Sequence, residues 1–406
     1  MHFDFEKRLS MRILGIIPAR FDSSRFPGKP LARIAGKPMI QRVWEQCKKA
    51  ESLAEVVVAT DDARIFECVK AFGGKVMMTR SEHLNGTSRC AEVMASEAGF
   101  DALINIQGDE PIVDPKDIDT VAALLRKGHA IATLYADISE EDLGKKQVVK
   151  AAVSGEKALA FSRDPNKLPD SEKRGKHIGM YGFQAEIIKK LIALSPTENE
   201  LNESLEQLRW LDNGYEIAIA HSPNQSQGVD LPEDLLKVEA MILTEKMKKI
   251  RAVITDVDGV LTDGSISYLS NGEEIKTFNV KDGLICPILR RNGFSLGIIT
   301  GRYSDMVERR AIELGFDIIE QGCKDKAGAI KSFAIQLELS LEEIAYVGDD
   351  INDLPALRLA GLSVSPADAP VYIRDQVHLS LERKGGKGAF RELGERLLVA
   401  QGKAFY

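Results

Sequence analysis

Two segments of the chain open on the same hydropathic figure. Residues 12–20, RILGIIPAR, run apolar and β-branched into a loop rich in Ser, Arg, Gly and Pro. Residues 250–259, IRAVITDVDG, run apolar into carboxylates. Behind each come short apolar runs separated by amphipathic stretches: VVVAT, LINIQ and IGMYGF after the first, LGIIT, IAYVGDD and LSVS after the second. Continuous apolar strands alternating with helical periodicity predict an α/β fold with parallel sheets covered on both faces. In such sheets the functional loops follow the carboxyl ends of strands. The stretch 231–249, LPEDLLKVEAMILTEKMKK, predicts a single helix, with Pro232 and acids in its first turn and lysines at its end. The chain thus reads as an N-terminal extension over 1–11, a first domain over 12–247 and a second over 248–406, with no internal repeat and no flexible linker between them.

Length and charge narrow the functional classes. A chain of 406 residues exceeds what one hydrophobic core usually supports, in keeping with two domains. With 54 basic against 61 acidic side chains the net charge is −7, and no basic block argues for nucleic acid or an anionic membrane as partner. Hydrophobic residues at 44% and charged ones at 28% exclude disorder as the overall state. No apolar run approaches the ~18 residues that span a bilayer, and the acids near the start are unlike a secretory signal. Five scattered cysteines without metal-ligand spacing read as free thiols of a reducing compartment, so a cytoplasmic location is expected.

The first loop, IPARFDSSRFPGKP, sets Arg20, Arg25 and Lys29 among Ser23, Ser24 and Gly28. Small residues after a strand let backbone amides approach an anion while Arg and Lys neutralise phosphate oxygens. The Walker pattern is absent. Asp109 and Glu110 follow a buried strand in INIQGDEP, where an isolated carboxylate is costly without a cation, and Asp230 precedes the helix in QGVDLPED. Two separated carboxylates beside a phosphate-binding loop form a candidate magnesium site. His177 and Tyr181 in KHIGMYGF, with Glu206, Gln207 and Arg209 in ESLEQLRWL, offer polar groups to a hydroxylated ligand.

Together with VVVATDD, MTRSEHLNGTSR and FSR, these stretches resemble the 3-deoxy-manno-octulosonate cytidylyltransferase family over roughly residues 12–243. The related sialate synthetases usually show an RGGSKG-like first loop, which this chain lacks. The resemblance implies a Rossmann-like αβα domain that transfers CMP from CTP to a 3-deoxy-2-ulosonic acid and releases pyrophosphate. It places Arg20 and Lys29 on the CTP phosphates, Gln107 near the cytidine, magnesium on Asp109 and Asp230, and Arg163, His177, Tyr181, Glu206 and Gln207 around the sugar acid. Two positions depart from the family: Ser88, usually acidic, and Ser204, commonly lysine.

In the second half, ITDVDGVLTDG holds Asp256 and Asp258 two residues apart at a strand end. That spacing lets one carboxylate attack phosphorus while the other protonates the leaving oxygen and later activates water; their mutual repulsion favours a bound cation. Thr300 and Arg302 in ITGR, Lys326 in GCKDK and Asp349 with Asp350 in YVGDDIND follow in order. Each alone reads as an ordinary turn or surface charge; the ordered set does not.

The order, with the wording FNVKDGL and RKGGKGAFRE, resembles the haloacid dehalogenase superfamily and within it the 3-deoxy-manno-octulosonate 8-phosphate phosphatases, over about 250–396. The resemblance implies a second, capless αβα domain with Asp256 as nucleophile and Asp258 as general acid and base. It puts Thr300 and Lys326 on the phosphoryl group, and magnesium on Asp256, Asp349 and the Asp258 carbonyl. Asp282, Gly283 and Arg302 would meet the substrate. Tetramers through this domain are typical of the group, and the glycine-rich KGGKG at 384–388 is expected as a mobile closing segment. Ile285 replaces a glycine common in the family, near the expected substrate entrance.

The halves fit consecutive steps: phosphate removal from a sugar-acid phosphate, most simply the eight-carbon KDO 8-phosphate, then activation of the freed acid by CTP, with magnesium in both domains, as in the supply of lipopolysaccharide or capsule. Alternatives are the same reactions on a nine-carbon 3-deoxy-nonulosonate, or a second domain that serves oligomerisation alone. His2, His129, His221 and His378 sit in no motif.

Overall fold

The computed structural model describes residues 10–22, 25–224 and 227–405; residues 1–9 of the expected N-terminal extension, and the loop serines Ser23 and Ser24, lie outside the described residues. The chain divides into two compact units, residues up to Ala32 with Pro38–Val238, and Arg33–Lys37 with the residues from Glu239 onward. The division falls within the predicted helix, which runs Pro232–Lys249, shortly before the expected boundary at residue 247.

The first unit is built on a nine-stranded sheet in the order Lys75–Met78, Leu53–Thr60, Ile13–Ala19, Ala102–Asn105, Lys173–Gln184, Ile131–Ala136, Ala218–Ser222, Lys157–Ser162, Lys150–Ser154. Ile13–Ala19 pairs in parallel with the strands on either side of it. Its side chains alternate between two cores: Ile13 and Ile17 pack in one, Leu14 and Ile16 in the other. That is the period of two expected of a strand covered on both faces, each buried side chain contributing roughly 1.5–3 kcal/mol.

The sheet is mixed, not parallel as expected. Lys173–Gln184 runs antiparallel to both Ala102–Asn105 and Ile131–Ala136, and Lys150–Ser154 and Lys157–Ser162 form an antiparallel edge. An apolar run reports burial but not direction, and antiparallel strands joining an otherwise parallel sheet are common. Glycine makes the insertion possible. A Cβ at Gly175 would stand 2.3 Å from the Tyr135 ring, and one at Gly182 would stand 2.6 Å from Val121.

The second unit has a wholly parallel six-stranded sheet ordered Ile318–Glu320, Ser295–Ile299, Ala252–Thr255, Ile344–Val347, Leu362–Ser365, Leu379–Ser380. Val253 joins the core on one face, Ala252 and Ile254 the core on the other. Between the first strand and the helix Val280–Arg291 the only paired strands among the described residues are a hairpin of two rungs, Ser267–Tyr268 against Glu274–Ile275, so no cap domain is inserted at this point. Asp256, Thr300 and Asp349 all follow the carboxyl ends of neighbouring central strands.

The KGGKG segment, expected to be a closing segment, lies against the loop behind Asp256. The Gly386 amide donates to Val260 O at 2.8 Å, and Asn279 donates to Gly386 O at 3.1 Å. A Cβ on Gly385 would stand 1.9 Å from the Gly259 carbonyl oxygen, so glycine is required for this approach. No helix among the described residues is long and apolar enough to cross a membrane.

Candidate active sites

In the first unit the basic loop and the two acid-bearing segments meet. Gly28, at φ +72°, turns the chain so that the short Lys29–Leu31 helical turn begins, and its amide donates to Phe21 O at 2.8 Å. Lys29 Nζ then lies 2.7 Å from Asp109 Oδ2, donates to Val229 O at 2.8 Å, and comes within 3.9 Å of Asp230. Arg25 reaches Asp230 at 3.0 Å. The Val229 amide, donating to Asp109 O at 2.9 Å, stitches the two acid segments together. Asp109 and Asp230 keep 35% and 55% of their side-chain surface exposed, so a ligand can reach both. Gln107 donates to Gly179 O at 2.7 Å, and Arg20 donates to Leu84 O at 3.1 Å while remaining exposed.

The expected sugar-acid residues fall into two groups. His177 lies between Phe161 and Tyr181, with centroids at 4.8 and 5.4 Å, and burial pushes its pKa down to about 3, leaving a neutral ring. Its Nε2 is 3.0 Å from Thr133 Oγ1, whose own proton has the Met180 carbonyl at 2.8 Å. The threonine therefore accepts from Nε2–H, and Nδ1 is left as the acceptor of the ring. The Tyr181 hydroxyl is buried without a hydrogen-bond partner among the described residues. Glu206 accepts from Asn85 at 2.9 Å and Thr87 at 2.8 Å; burial raises its pKa against these two bonds. Gln207 follows it, buried, in the first turn of Glu206–Asp212.

Arg163 donates through Nε to the Glu203 carbonyl at 3.0 Å and through Nη1 to those of Lys146 and Gln147 at 3.3 and 3.0 Å, tying down loops, while Nη2 makes no hydrogen bond among the described residues. Buried Lys150 fastens the same region through the Arg163 carbonyl at 2.8 Å. Beside Glu206 opens a cavity of about 660 Å³, and among its walls are Asn85, Arg209 and both departures from the family pattern, Ser88 and Ser204. Ser204 stands at φ +52°, a left-handed conformation that a non-glycine residue seldom adopts.

In the second unit Asp256 extends the first strand, its amide donating to Val347 O at 2.9 Å. Lys326 reaches Asp256 Oδ2 at 2.6 Å and Asp353 Oδ1 at 2.7 Å. Asp353 also accepts from the Tyr346 hydroxyl at 2.7 Å and the Asp349 amide at 3.0 Å. Oxygens of Asp256, Asp349 and Asp353 all lie within 4.8 Å of one another. Burial and then the Asp353 charge push the Asp256 pKa up to about 6; burial, then Asp353 and Asp256, push Asp349 up to about 8. Burial works against the Lys326 charge, but the two carboxylates outweigh it and raise its pKa. Three carboxylates facing one ammonium leave an excess of negative charge, the donor set that a hard divalent cation relieves.

Asp256, Asp258, Thr300, Arg302, Asp349 and Asn352 are among the walls of a 320 Å³ cavity. Arg302 pairs with Glu274 at 2.9 Å. Asp282 and Gly283, expected against substrate, are not among these walls. Asp282 accepts from the Gly388 and Arg391 amides at 3.1 and 2.9 Å, at the start of the helix Ala389–Ala400, and a Cβ on Gly283 would strike Arg310 at 2.5 Å. Ile285 is fully buried in the core and packs toward the helix Ala389–Ala400, where a Cβ on Gly394 would stand 2.4 Å from it. Asp353, Tyr346 and Lys276, the last bonded to Asp258, belong to the site without having been singled out in the sequence.

Comparison with known proteins agrees with this division. The family model described as cytidylyltransferase matches residues 14–217, and the model described as haloacid dehalogenase-like hydrolase matches 279–361, a span that begins after the DVD segment. A 3-deoxy-manno-octulosonate cytidylyltransferase of Parabacteroides distasonis is 43% identical over 250 residues, 57% of this chain and 98% of its own. A CMP:2-keto-3-deoxy-manno-octonic acid synthetase solved with CTP is 41% identical with a TM-score of 0.55, covering 58% of this chain and 99% of its own. A cobalt-bound deoxy-D-mannose-octulosonate 8-phosphate phosphatase from Haemophilus influenzae is 43% identical, covers 39% of this chain and 92% of its own, and has a TM-score of 0.38. The reading of the second unit rests on the hydrolase match and on its own site geometry. With a nucleotidyltransferase-like αβα unit ahead of a hydrolase-like one, both of enzymatic families, the chain belongs to the cytidylyltransferase family and carries a haloacid dehalogenase-like hydrolase domain behind it.

Proposed function

We propose that the protein is a bifunctional enzyme that removes phosphate from KDO 8-phosphate and transfers CMP from CTP to the freed sugar acid. The observation that carries the hydrolytic half is the convergence of Asp256, Lys326, Asp349 and Asp353 beside Asp258 and Thr300, a set too acidic to serve packing alone. This weighs against a second domain kept only for oligomerisation. A carboxylate oxygen of Asp256 attacks phosphorus as the bond to the sugar oxygen breaks, and Asp258 gives its proton to that oxygen. Asp258 then takes a proton from the water that cleaves the aspartyl-phosphate. Lys326 and the Thr300 hydroxyl hold the transferring oxygens.

In the transferase half, Lys29, Arg25 and Arg20 receive the triphosphate, while Glu206 and the Nδ1 acceptor of His177 take sugar hydroxyls. The C2 hydroxyl attacks the α-phosphorus and pyrophosphate leaves. Magnesium fits both donor sets: Asp256 and Asp349 would hold it in one, Asp109 and Asp230 with the triphosphate in the other, and it would supply charge stabilisation on the phosphoryl oxygens. Support for the nucleotide comes from the likeness to a synthetase solved with CTP.

A second reading keeps both reactions but takes a nine-carbon acid, favoured by the small side chains of Ser88 and Ser204 in the 660 Å³ cavity. A phosphorus NMR time course with KDO 8-phosphate, CTP and magnesium tests the proposal. Inorganic phosphate followed by pyrophosphate and a CMP-sugar supports it. Reaction only with a nine-carbon acid phosphate replaces the substrate, and no turnover of either ends it.

A further inference from the structure

The side chain of Lys276 is 2% exposed although it follows directly on an exposed two-rung hairpin. Burying an ammonium is costly without a fixed partner, and the partner here is Asp258 Oδ1. Glu274, the other acid nearby, is 3.8 Å away and is already engaged by Arg302 at 2.9 Å. Thr262 Oγ1 reaches the same Asp258 oxygen at 3.3 Å. Two donors therefore meet on Oδ1, while Oδ2 has no hydrogen bond among the described residues. Asp258 lines the 320 Å³ cavity together with Asp256 and Thr300.

We propose that Lys276 is a positioning residue for Asp258, fixing the carboxyl group through Oδ1 so that Oδ2 is presented to the sugar oxygen that leaves phosphorus; the inference rests on the phosphatase reading above. In the first step the Asp256 oxygen forms its bond to phosphorus, the bond from phosphorus to the sugar oxygen breaks with its electron pair on that oxygen, and the proton on Asp258 Oδ2 moves there. The ammonium keeps its own protons throughout. A group held in place this way matters most where the leaving oxygen needs the proton, as an alkoxide does and a nitrophenolate does not.

The test is the ratio of kcat/KM for KDO 8-phosphate to kcat/KM for p-nitrophenyl phosphate, since kcat/KM reports on the step in which the leaving group departs. Lys276→Met is expected to lower the value for the sugar phosphate roughly 10- to 100-fold and that for p-nitrophenyl phosphate no more than about threefold. Thr262→Val, removing the weaker donor, shifts the ratio the same way by a smaller factor and serves if the first variant does not fold. An equal loss on both substrates, or no loss on either, overturns the positioning role while leaving the phosphatase reading intact. Wild-type protein that releases no phosphate, or Asp256→Asn protein that still does, overturns the phosphatase reading and this inference with it.

Discussion

Tyr346 donates its hydroxyl to Asp353 at 2.7 Å, and both side chains are closed off from solvent. The oxygen it uses is the one that also holds Lys326, so tyrosine and lysine are fixed by a single carboxylate, and the same lysine reaches Asp256 at 2.6 Å. Asp353→Asn keeps the shape but removes the charge that balances Lys326. Phosphate release from KDO 8-phosphate is expected to fall at least about tenfold, with CMP transfer to separately supplied KDO unchanged, when each half-reaction is assayed on its own substrate.

Lys29 stands between Asp109 and Asp230 at 2.7 and 3.9 Å. Lys29→Met leaves two facing acids and removes a cation from the proposed triphosphate site. Pyrophosphate release is expected to drop by about 100-fold or more, and hydrolysis of KDO 8-phosphate to continue at the wild-type rate.

Glu206 is held by Asn85 and Thr87 beside the larger cavity. Glu206→Gln retains acceptor capacity but loses the charge-assisted bond to a sugar hydroxyl, worth about 1.5–3 kcal/mol. The KM for the sugar acid should rise about tenfold or more while the KM for CTP stays within about twofold. Initial-rate measurements with each substrate varied separately will show it.

Partial burial pushes the pKa of His177 down to about 3 in the folded chain, against 6.5 for the free side chain. Between those values the unfolded chain binds the extra proton, so this residue's contribution is intact above about pH 6.5 and is lost progressively as pH falls toward 3. The slope approaches 1.4 kcal/mol per pH unit. Denaturant titrations of wild type and His177→Gln between pH 7 and 4 should therefore converge as the solution becomes more acidic.

What the sequence disclosed follows from what is local in it. Asp256, Thr300 and Asp349 were legible because each follows an apolar run, and strand ends in parallel sheets point to the same edge. Asp353 was hidden: four residues after Asp349 it reads as one more acid of a turn, and only its burial against Lys326 and Tyr346 gives it a role. Asn85 and Glu206 lie 121 residues apart, and no spacing rule links them. Arg163 shows a different limit, since a basic residue in a motif gives no sign that its Nε and Nη1 also reach backbone carbonyls of distant loops. The direction of Lys173–Gln184 was equally invisible, because hydropathy is blind to chain polarity.

The strand that ends in Asp256 is hydrogen-bonded on both sides in the middle of its sheet, whereas the hairpin leading to Lys276 is joined by two rungs only. Amides of the first should exchange with deuterium only when the whole unit unfolds, and those of the second through brief local openings. Asp256 is thereby anchored in the part of the unit expected to exchange slowest, and Lys276 is tethered to one expected to exchange among the fastest.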